Sequence, residues 1–398
     1  MMSGFPPDEG DRWPLEHWQF GPENRWSFQH VREIVPTARV ARSPWGPRAL
    51  APGEAIDLTV PVARVDGTTA TAAQILDDTY TDGFLALADG RVVAEQYFNA
   101  MAADTPHLLM SVSKSIVSAV CAVLAGRGQV DVEAPLTAYI PEFAESGYAG
   151  ATVRNLLDMR SGIAFSEDYL DTTAEVRQLE QVIGWAPRTM HDLPHSLYEW
   201  LATLTSKSSH GGPFEYRSCE TDVLGWVCER ASGVRMPDLL AEFVWGPLRT
   251  EYDMDAGVDP AGAVLHDGGL AGCLRDLGRF GQMIADDGVV PSDGVVDERQ
   301  VIPAWWIRDT LQGDADSRDA FASSKDDTRM PGGMYRNQFW VPYPGDEVVM
   351  CLGIHGQMVY IDLPRRFVGV KFSSWPTPQN AAMFGDTLAM MRTLALSS

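Results

Sequence analysis

The sequence predicts a two-part α+β or α/β fold, in which segments near both ends of the chain build one antiparallel sheet flanked by helices. Strand-like segments occur within residues 84–98 and again within residues 347–372. Between these regions, residues 163 to about 270 contain helical pieces separated by Asp, Gly, Pro, His and Ser. Strands on both sides of a helical middle indicate a sheet completed from both ends, with a mostly helical insertion.

The first strands are predicted to form a hairpin. Residues 84–88 and 92–98 read as strands, and Asp89 and Gly90 lie between them. Asp-Gly between two such segments is typical of a tight hairpin turn.

The other elements are predicted from apolar periodicity and from the glycines and prolines that end them. The predicted helices are 111 to 126 or 128, 152–162, 196–204, 221–230, 274–284 and about 380–396. The predicted late strands are 347–355, 358–363 and 367–372.

The length of 398 residues predicts one large composite domain or two domains in close contact. Residues 81–155 and 271–398 are assigned to a sheet domain, and residues 156–270 to a helical domain with lid loops. Residues 1–80 form an N-terminal arm that is rich in Pro and Gly. Because disordered segments contain few aromatic residues, the arm's four tryptophans predict that it packs on the body.

The chain is acidic, with a formal net charge of −23, and 45% of its residues are hydrophobic. The hydrophobic content suffices for a core. The negative charge argues against nucleic acid and anionic membranes as partners, and it mildly favours cationic or zwitterionic ligands. The first residues show no basic and apolar leader, and no long apolar stretch occurs, so we expect a soluble cytoplasmic protein. The sequence leaves the oligomeric state open, a homodimer included.

The cysteines and histidines do not indicate a metal site. The five cysteines, at positions 121, 219, 228, 273 and 351, are odd in number and scattered within predicted elements. We expect reduced core residues and no disulfide framework. The eight histidines form no cluster with Cys or Asp at ligand spacing, so neither a metal nor a cofactor is expected.

Ser111 and Lys114 lie three positions apart at the start of a predicted helix. Residues at this spacing face the same way, so the Lys114 amine can reach the Ser111 hydroxyl, take its proton and create a nucleophile. Free N–H groups at the helix N-terminus suit an oxyanion near Ser111. The apolar residues that follow recur at helical spacing, so one face of this helix is predicted to be buried.

The Ser-x-x-Lys pattern alone is weak, because ordinary residue usage gives roughly one chance match in a chain of this size. The alternative is a solvated helix start, with Ser111 as N-cap and Lys114 in water. Tyr216 precedes the helix that is predicted to begin at residue 221, and a tyrosine near Ser111 and Lys114 can shuttle protons. The alternative is that Tyr216 is a half-buried aromatic residue of a loop. Residues 352–357 carry glycines whose backbone can lie against a substrate, the alternative being an ordinary sheet edge.

These segments resemble the serine β-lactamase and penicillin-recognising hydrolases of the class C type. The marks of that family are Ser-x-x-Lys, a later Tyr-x-Asn or Tyr-x-Ser and a Gly-containing motif on a late strand, and they occur here in that order. The chain is most similar to hydrolases of linear 6-aminohexanoate oligomers and related carboxylesterases. The matching blocks are residues 24–26, 79–82, 108–115, 167–169, 184–185, 221–224, 354–357 and 373–376.

The resemblance implies a β-lactamase/transpeptidase-like fold and a role for each matching residue. Ser111 is the implied nucleophile, Lys114 its base and Tyr216 the proton shuttle to the leaving amine. The backbone N–H groups of Ser111 and Ile354 are the implied oxyanion hole. The implied substrate-binding residues are Tyr169 in a lid, Glu180 at the amino end of the substrate, Trp340 in the pocket, and Asp267.

Two positions depart from the oligomer hydrolases. Glu180 replaces an Asp, and Asp267 stands where those enzymes have Asn or His. An extra carboxylate favours a substrate that carries an ammonium group. The alternative is that Glu180 is a solvated loop charge.

The expected reaction is a two-step acyl transfer from a small-molecule amide or ester, with burial lowering the pKa of Lys114 toward the neutral form. The nearest alternative is a carboxylesterase with the same residues, and a more distant one is a catalytically silent binding module. A D-alanyl peptidase or a true β-lactamase is disfavoured, because those enzymes work outside the cytoplasm. The absence of Gly-x-Ser-x-Gly argues against an α/β-hydrolase.

Overall fold

The computed structural model describes residues 2–398, which form many short strands and helices. The strands are β1 Thr37–Val40, β2 Pro61–Ala63, β3 Thr69–Thr71, β4 Thr81–Ala88, β5 Arg91–Tyr97, β6 His107–Leu108, β7 Met254–Gly257, β8 Leu270–Gly272, β9 Val289–Val290, β10 Arg299–Gln300, β11 Met334–Arg336, β12 Phe339–Val341, β13 Val348–Gly353, β14 Gln357–Asp362 and β15 Phe367–Ser373. The α-helices are α1 Asn24–Ser27, α2 Ala72–Asp78, α3 Val112–Gly126, α4 Val153–Leu157, α5 Glu175–Val182, α6 Leu197–Leu201, α7 Cys219–Ser232, α8 Met236–Leu240, α9 Leu274–Ala285, α10 Ala304–Gln312, α11 Ser317–Ala322 and α12 Ala381–Ser397. None of the helices in this part of the chain is both long and apolar enough to cross a membrane.

Seven strands form one antiparallel sheet in the order β11-β12-β13-β14-β15-β4-β5. Strands β4 and β5 precede the helical middle of the chain and the other five follow it, so the prediction of a sheet completed from both ends is confirmed. The predicted hairpin is also present, because Ala88 pairs with Arg91. Asp89 and Gly90 between them have φ angles of 47° and 72°, as a type I′ turn requires.

A second sheet of four strands, in the order β1-β7-β8-β6, lies outside the prediction. Strand β7 lies within the segment predicted to be mostly helical, and β8 begins at the end of that segment; neither strand is predicted from sequence. Their sequences, Met-Asp-Ala-Gly and Leu-Ala-Gly, lack the β-branched and aromatic residues that mark strands. Strand β6 pairs with β8, and only three residues separate it from α3, so this sheet positions the start of that helix.

Helix α3 lies inside the protein and is buried on all sides, from Val112 to Leu124. The predicted burial of the apolar face is confirmed, the opposite face is buried as well, and the alternative of a solvated helix start is wrong. Its polar residues are accommodated by buried acceptors, because the hydroxyls of Ser115 and Ser118 each donate a hydrogen bond of 2.7 Å to a backbone carbonyl. Helix α3 contacts α7 on one side and β13 of the main sheet on another.

The N-terminal segment contacts the rest of the chain through particular side chains. Trp18 is fully buried, and its indole N–H donates to the Trp185 carbonyl at 2.9 Å. The Asn24 side chain donates to the Trp375 carbonyl at 2.7 Å. Trp45, in contrast, is 48% exposed. The division into an arm and two domains stays a prediction.

Candidate active site

Ser111 lies between β6 and α3. Met110 before it has a φ of 47°, a left-handed conformation that non-glycine residues rarely adopt. The Ser111 side chain makes no capping hydrogen bond to the helix. Ser111 therefore occupies the N-cap position without capping the helix, and its hydroxyl contacts Lys114 instead.

The Lys114 side chain is buried and has three hydrogen-bond acceptors. Its Nζ lies 3.0 Å from Ser111 Oγ, 3.0 Å from Ser218 Oγ and 2.8 Å from the Asp267 carbonyl oxygen. An ammonium group has three N–H donors, so these contacts satisfy it completely. The sequence analysis assigns no role to Ser218, although this residue completes the Tyr-x-Ser mark that begins at Tyr216.

The expectation that burial lowers the pKa of Lys114 toward the neutral form does not describe the net effect of its surroundings. Burial lowers the pKa of Lys114, but the acidic groups around it, first Tyr216 and then Asp267, Glu167 and Asp222, together raise it above its ordinary value. The Asp267 carboxylate oxygen Oδ2 lies 3.6 Å from Lys114 Nζ. These surroundings therefore favour the ammonium form of Lys114.

Tyr216 lies beside this ammonium group. Lys114 Nζ is 5.2 Å from the centre of the Tyr216 ring, which stacks on the Trp340 ring at 5.4 Å between centroids. Burial raises the pKa of Tyr216, and it outweighs the Lys114 charge and the hydrogen bonds with Ser111 and Lys114, which lower it. Because Lys114 and Tyr216 each affect the other's protonation, they titrate as a coupled pair.

Glu167 and Tyr169 come from a loop that lines the larger of two cavities beside Ser111. The Tyr169 hydroxyl donates to a Glu167 carboxylate oxygen at 2.7 Å, and the other oxygen accepts the backbone N–H of Ser218. Burial raises the pKa of Glu167, and the Lys114 charge opposes this. The sequence analysis assigns a role to Tyr169 only. A carboxylate two residues before the lid tyrosine was the available signal for Glu167.

Ser111 borders two cavities, and Tyr169 and Ile354 also line both. The larger cavity measures about 280 Å³, and Tyr216 and Trp340 belong to its wall. The smaller measures about 40 Å³ and is lined by carboxylates and apolar side chains. All the residues that the resemblance implies for substrate binding line one cavity or the other, while their roles stay predictions.

Glu180 lines the smaller cavity and is only 7% exposed, so the alternative of a solvated loop charge is wrong. It belongs to α5, and one carboxylate oxygen lies 2.5 Å from an Arg177 nitrogen while the other accepts from Gln19 at 3.2 Å. Burial raises the pKa of Glu180 to about 7, against the opposing effect of Arg177. A cationic ligand in this cavity would lower that pKa and hold the carboxylate in its charged form.

Asp267 also lines the smaller cavity, but it contacts Lys114 directly. Behind it, the fully buried Asp222 accepts the backbone N–H groups of His266 and Asp267 at 2.9 and 3.2 Å. Burial and repulsion from Asp267 raise the pKa of Asp222 well above its ordinary value. In residues 2–398, these carboxylates do not assemble with other side chains into a group of three or more potential metal ligands.

Ile354 begins a single 3₁₀ turn, Ile354–Gly356, that follows β13. His355 within this turn has a φ of 60°, and its backbone N–H donates to Pro378. In the described chain, neither the Ser111 N–H nor the Ile354 N–H has a backbone acceptor. Both residues line the same cavities, so both N–H groups are available for an oxyanion, and this assignment stays a prediction.

Comparison with known proteins shows which proteins this chain is similar to. A sequence profile described as beta-lactamase matches residues 70–389. The 6-aminohexanoate-dimer hydrolase of Paenarthrobacter ureafaciens is 37% identical over 374 residues, which cover 93% of this chain and 90% of that protein. Esterase EstB of Burkholderia gladioli is 30% identical over 152 residues, or 37% of this chain and 38% of that protein.

A solved structure from Bacillus anthracis, provisionally described as a 6-aminohexanoate-dimer hydrolase, has a TM-score of 0.87 with 24% identity and covers 98% of this chain and 97% of its own. This likeness confirms the predicted β-lactamase/transpeptidase-like fold. The family profile covers most of the chain, and the Paenarthrobacter relative matches almost all of it. The chain therefore belongs to the beta-lactamase family of serine hydrolases.

Proposed function

We propose that the protein hydrolyses the amide bonds of linear 6-aminohexanoate oligomers, the dimer first, through an acyl-enzyme on Ser111. The proposal depends above all on the 3.0 Å contact between Lys114 Nζ and Ser111 Oγ beside a cavity lined by Glu180 and Asp267. The contact supports a nucleophile with a proton-transfer group, and the carboxylates support a substrate with an ammonium end. The relative that is 37% identical, a 6-aminohexanoate-dimer hydrolase, supports the same substrate class.

In the first step, the Ser111 hydroxyl loses its proton to the Lys114–Tyr216 pair and its oxygen attacks the amide carbonyl. Because the surroundings favour the ammonium form of Lys114, the acceptor within the pair is Tyr216 as a phenolate. Burial raises the pKa of Tyr216, so the phenolate is a minor form at neutral pH, and the Lys114 charge stabilises it. The backbone N–H groups of Ser111 and Ile354 donate to the oxyanion. Tyr216 then protonates the nitrogen, the C–N bond breaks, and the amine leaves.

In the second step, water attacks the carbonyl of the acyl-enzyme. Tyr216, again a phenolate, takes a proton from the water and then returns one to Ser111 as the ester bond breaks. The products are the acid and the free enzyme. Lys114 keeps its charge throughout, so its contribution is to stabilise Tyr216 and to orient Ser111.

The two cavities give the substrate a direction. Tyr216 lines only the larger cavity, whereas Glu180 and Asp267 line only the smaller one. Because Tyr216 protonates the leaving amine, the leaving half of the substrate occupies the larger cavity. The acyl half, which ends in an ammonium group, then lies toward Glu180 and Asp267.

The alternative is a carboxylesterase with the same residues. The partial match to Esterase EstB and the aromatic side chains of the larger cavity, among them Trp340, Trp375 and Phe384, favour it. Esters have better leaving groups than amides, so weak ester hydrolysis is expected under either proposal. Amide hydrolysis therefore distinguishes the two.

The experiment is hydrolysis of linear 6-aminohexanoate dimer by the purified protein, measured as amine release, beside a short-chain nitrophenyl ester. Ser111→Ala should abolish both activities, whereas Ser118→Ala, two turns along the same helix and outside both cavities, should retain them. Ester hydrolysis without amide hydrolysis would establish the carboxylesterase. Turnover that survives in Ser111→Ala would refute the mechanism.

A further inference from the structure

The larger cavity carries positive charge on residues that the proposed reaction does not use. Lys325 and Arg329 line it, together with Asp326. These three residues come from one short segment, the 3₁₀ turn Lys325–Thr328 and the residue after it. Two cations in one cavity wall are notable in a chain with a net charge of −23.

The Arg329 guanidinium is held in position but retains free donors. Its carbon lies 5.9 Å from the centre of the Trp340 ring and 5.4 Å from that of Phe384, so two aromatic faces fix it. One nitrogen donates to Asp326, and within residues 2–398 this is its single hydrogen-bond partner. A guanidinium has five N–H donors, so most of them remain for a ligand.

Lys325 adds a second charge that nothing neutralises. No carboxylate in the described chain lies within ion-pair distance of its Nζ, whereas Asp326 offsets Arg329. The three lining residues therefore carry one net positive charge, whereas Asp327 of the same turn lies outside the cavity lining and accepts the Gly332 backbone N–H. The smaller cavity is different, because Glu180 and Asp267 line it and no Lys or Arg does.

The positions of these groups match the length of an amine leaving group. From Tyr216, one step of 5.4 Å leads to the Trp340 ring, and a step of 5.9 Å leads from that ring to the Arg329 guanidinium. An extended chain of five methylenes puts its carboxylate roughly 7–8 Å from the amine nitrogen, given single bonds of about 1.5 Å. The two steps limit the separation of the Tyr216 ring centre and the Arg329 guanidinium carbon to about 11 Å, which a chain of this length can span with a hydrogen bond at each end.

We propose that Arg329, assisted by Lys325, binds a carboxylate at the far end of the leaving group. The enzyme then selects both charges of a zwitterionic substrate, the ammonium in the smaller cavity and the carboxylate in the larger. This inference rests on the proposed function, because it takes the Tyr216 side as the leaving side. A guanidinium is well suited to this role, since its planar donors match a carboxylate in bidentate geometry.

The test is competitive inhibition of nitrophenyl ester hydrolysis by 6-acetamidohexanoate and by its neutral carboxamide. Neither compound has an ammonium group, so the pair isolates the leaving half. The carboxylate should inhibit the unmodified protein about tenfold more strongly than the carboxamide, as expected for a hydrogen bond between charged groups. Arg329→Gln should abolish this difference, Lys325→Gln should reduce it, and Arg329→Lys should keep part of it because the charge remains.

Arg392→Gln is the matched control. Arg392 also lies over an aromatic ring, 4.4 Å from the centre of Tyr343, and pairs with Asp346, but it lines neither cavity. The Arg392→Gln variant should retain the tenfold difference in inhibition between the carboxylate and the carboxamide. Equal inhibition by both compounds in the unmodified protein, or an undiminished difference in Arg329→Gln, would overturn the subsite.

Failure of the subsite and failure of the proposed function are distinguishable. The inhibition assay needs ester hydrolysis only. If the protein does not cleave the 6-aminohexanoate dimer but Arg329 still selects the carboxylate, the proposed function fails and the subsite stands. If the dimer is cleaved but the two compounds inhibit equally, the subsite fails and the proposed function stands.

Discussion

The chain has four lysines, and two of them are buried in surroundings that shift their pKa values in opposite directions. Lys114 is 1% exposed and Lys371 is 0% exposed. Acidic neighbours raise the pKa of Lys114 above its ordinary value. Burial lowers the pKa of Lys371 to about 7, with Asp82 opposing this effect and Arg25 reinforcing it. Burial is the same in both, so the number of acidic groups nearby decides the charge.

The two lysines also make different contacts. Lys114 lies against Ser111 at the border of both cavities. Lys371 lies within β15 and donates to the Thr79 carbonyl at 3.2 Å and to the Ser373 hydroxyl. The surroundings thus favour the charged form of the buried lysine that the proposed chemistry uses, and they make the lysine in the sheet interior easier to deprotonate.

The test with the largest expected effect replaces each of the two lysines by methionine, which keeps the length of the side chain. Lys114→Met should lower kcat/KM for a nitrophenyl ester by at least about 1000-fold, because Tyr216 and Ser111 lose their charged partner. Lys371→Met should change it by less than about threefold, because Lys371 lines neither cavity. Steady-state kinetics and circular dichroism check both variants. Similar losses in the two would show that Lys114 has no special role.

Replacing Tyr216 tests whether the charge on Lys114 acts through the tyrosine. Tyr216→Phe keeps the ring that stacks on Trp340 but removes the hydroxyl, and kcat should fall about 100- to 1000-fold. Tyr335→Phe is the matched control, since its ring lies 6.0 Å from that of Tyr216 and does not line the cavities. Adding Lys114→Met to Tyr216→Phe should cost little more, because the pair acts as a unit. Multiplicative losses in the double variant would contradict a coupled pair.

Asp267→Asn makes the surroundings of Lys114 more like those of Lys371. The variant keeps the backbone carbonyl that accepts from Lys114 and removes the carboxylate charge 3.6 Å away. The pKa of Lys114 should fall, so the alkaline limb of the pH–rate profile should move to lower pH. With a neutral ester, the loss at pH 7 should stay within about tenfold, since one pKa unit corresponds to about 1.4 kcal/mol. An unchanged alkaline limb would mean that Asp267 does not set the charge of Lys114.

The part of the site that depends on local spacing is predictable from sequence. Ser111 and Lys114 are three positions apart, and helix geometry alone brings their side chains together. Ser218 and Asp267 contact the same Lys114 Nζ from 104 and 153 positions away. No local pattern contains that information, which explains why the sequence analysis missed Ser218 and treated Asp267 as a substrate contact.

The error in the pKa of Lys114 has the same origin. Burial follows from the apolar helix, and burial alone predicts a neutral amine. The opposite outcome depends on acidic groups from separate segments, Glu167, Tyr216, Asp222 and Asp267, that only the folded chain brings together. The fold follows a similar rule, since the long strands of the main sheet are predictable, whereas the short strands β7 and β8 are specified by their neighbours.

The smallest expected effect is on the free energy of unfolding and concerns Lys371. The pKa of Lys371 falls from 10.5 to about 7 on folding, so between these values the unfolded chain binds a proton that the folded chain does not. The free energy of unfolding should therefore rise with pH across this window, by at most about 1.4 kcal/mol per pH unit from this residue. Lys371→Met should remove that contribution.

Urea unfolding at pH 7 and pH 9 measures the contribution of Lys371 to the pH dependence of stability. Relative to Lys371→Met, the unmodified protein should gain stability as the pH rises from 7 to 9, and this difference cancels the titration of other groups. Lys207→Met, at a side chain that is 46% exposed, should not alter the pH dependence. If Lys371→Met shows the same pH dependence as the unmodified protein, Lys371 is charged in the folded state and its surroundings do not differ from those of Lys114 in the way proposed.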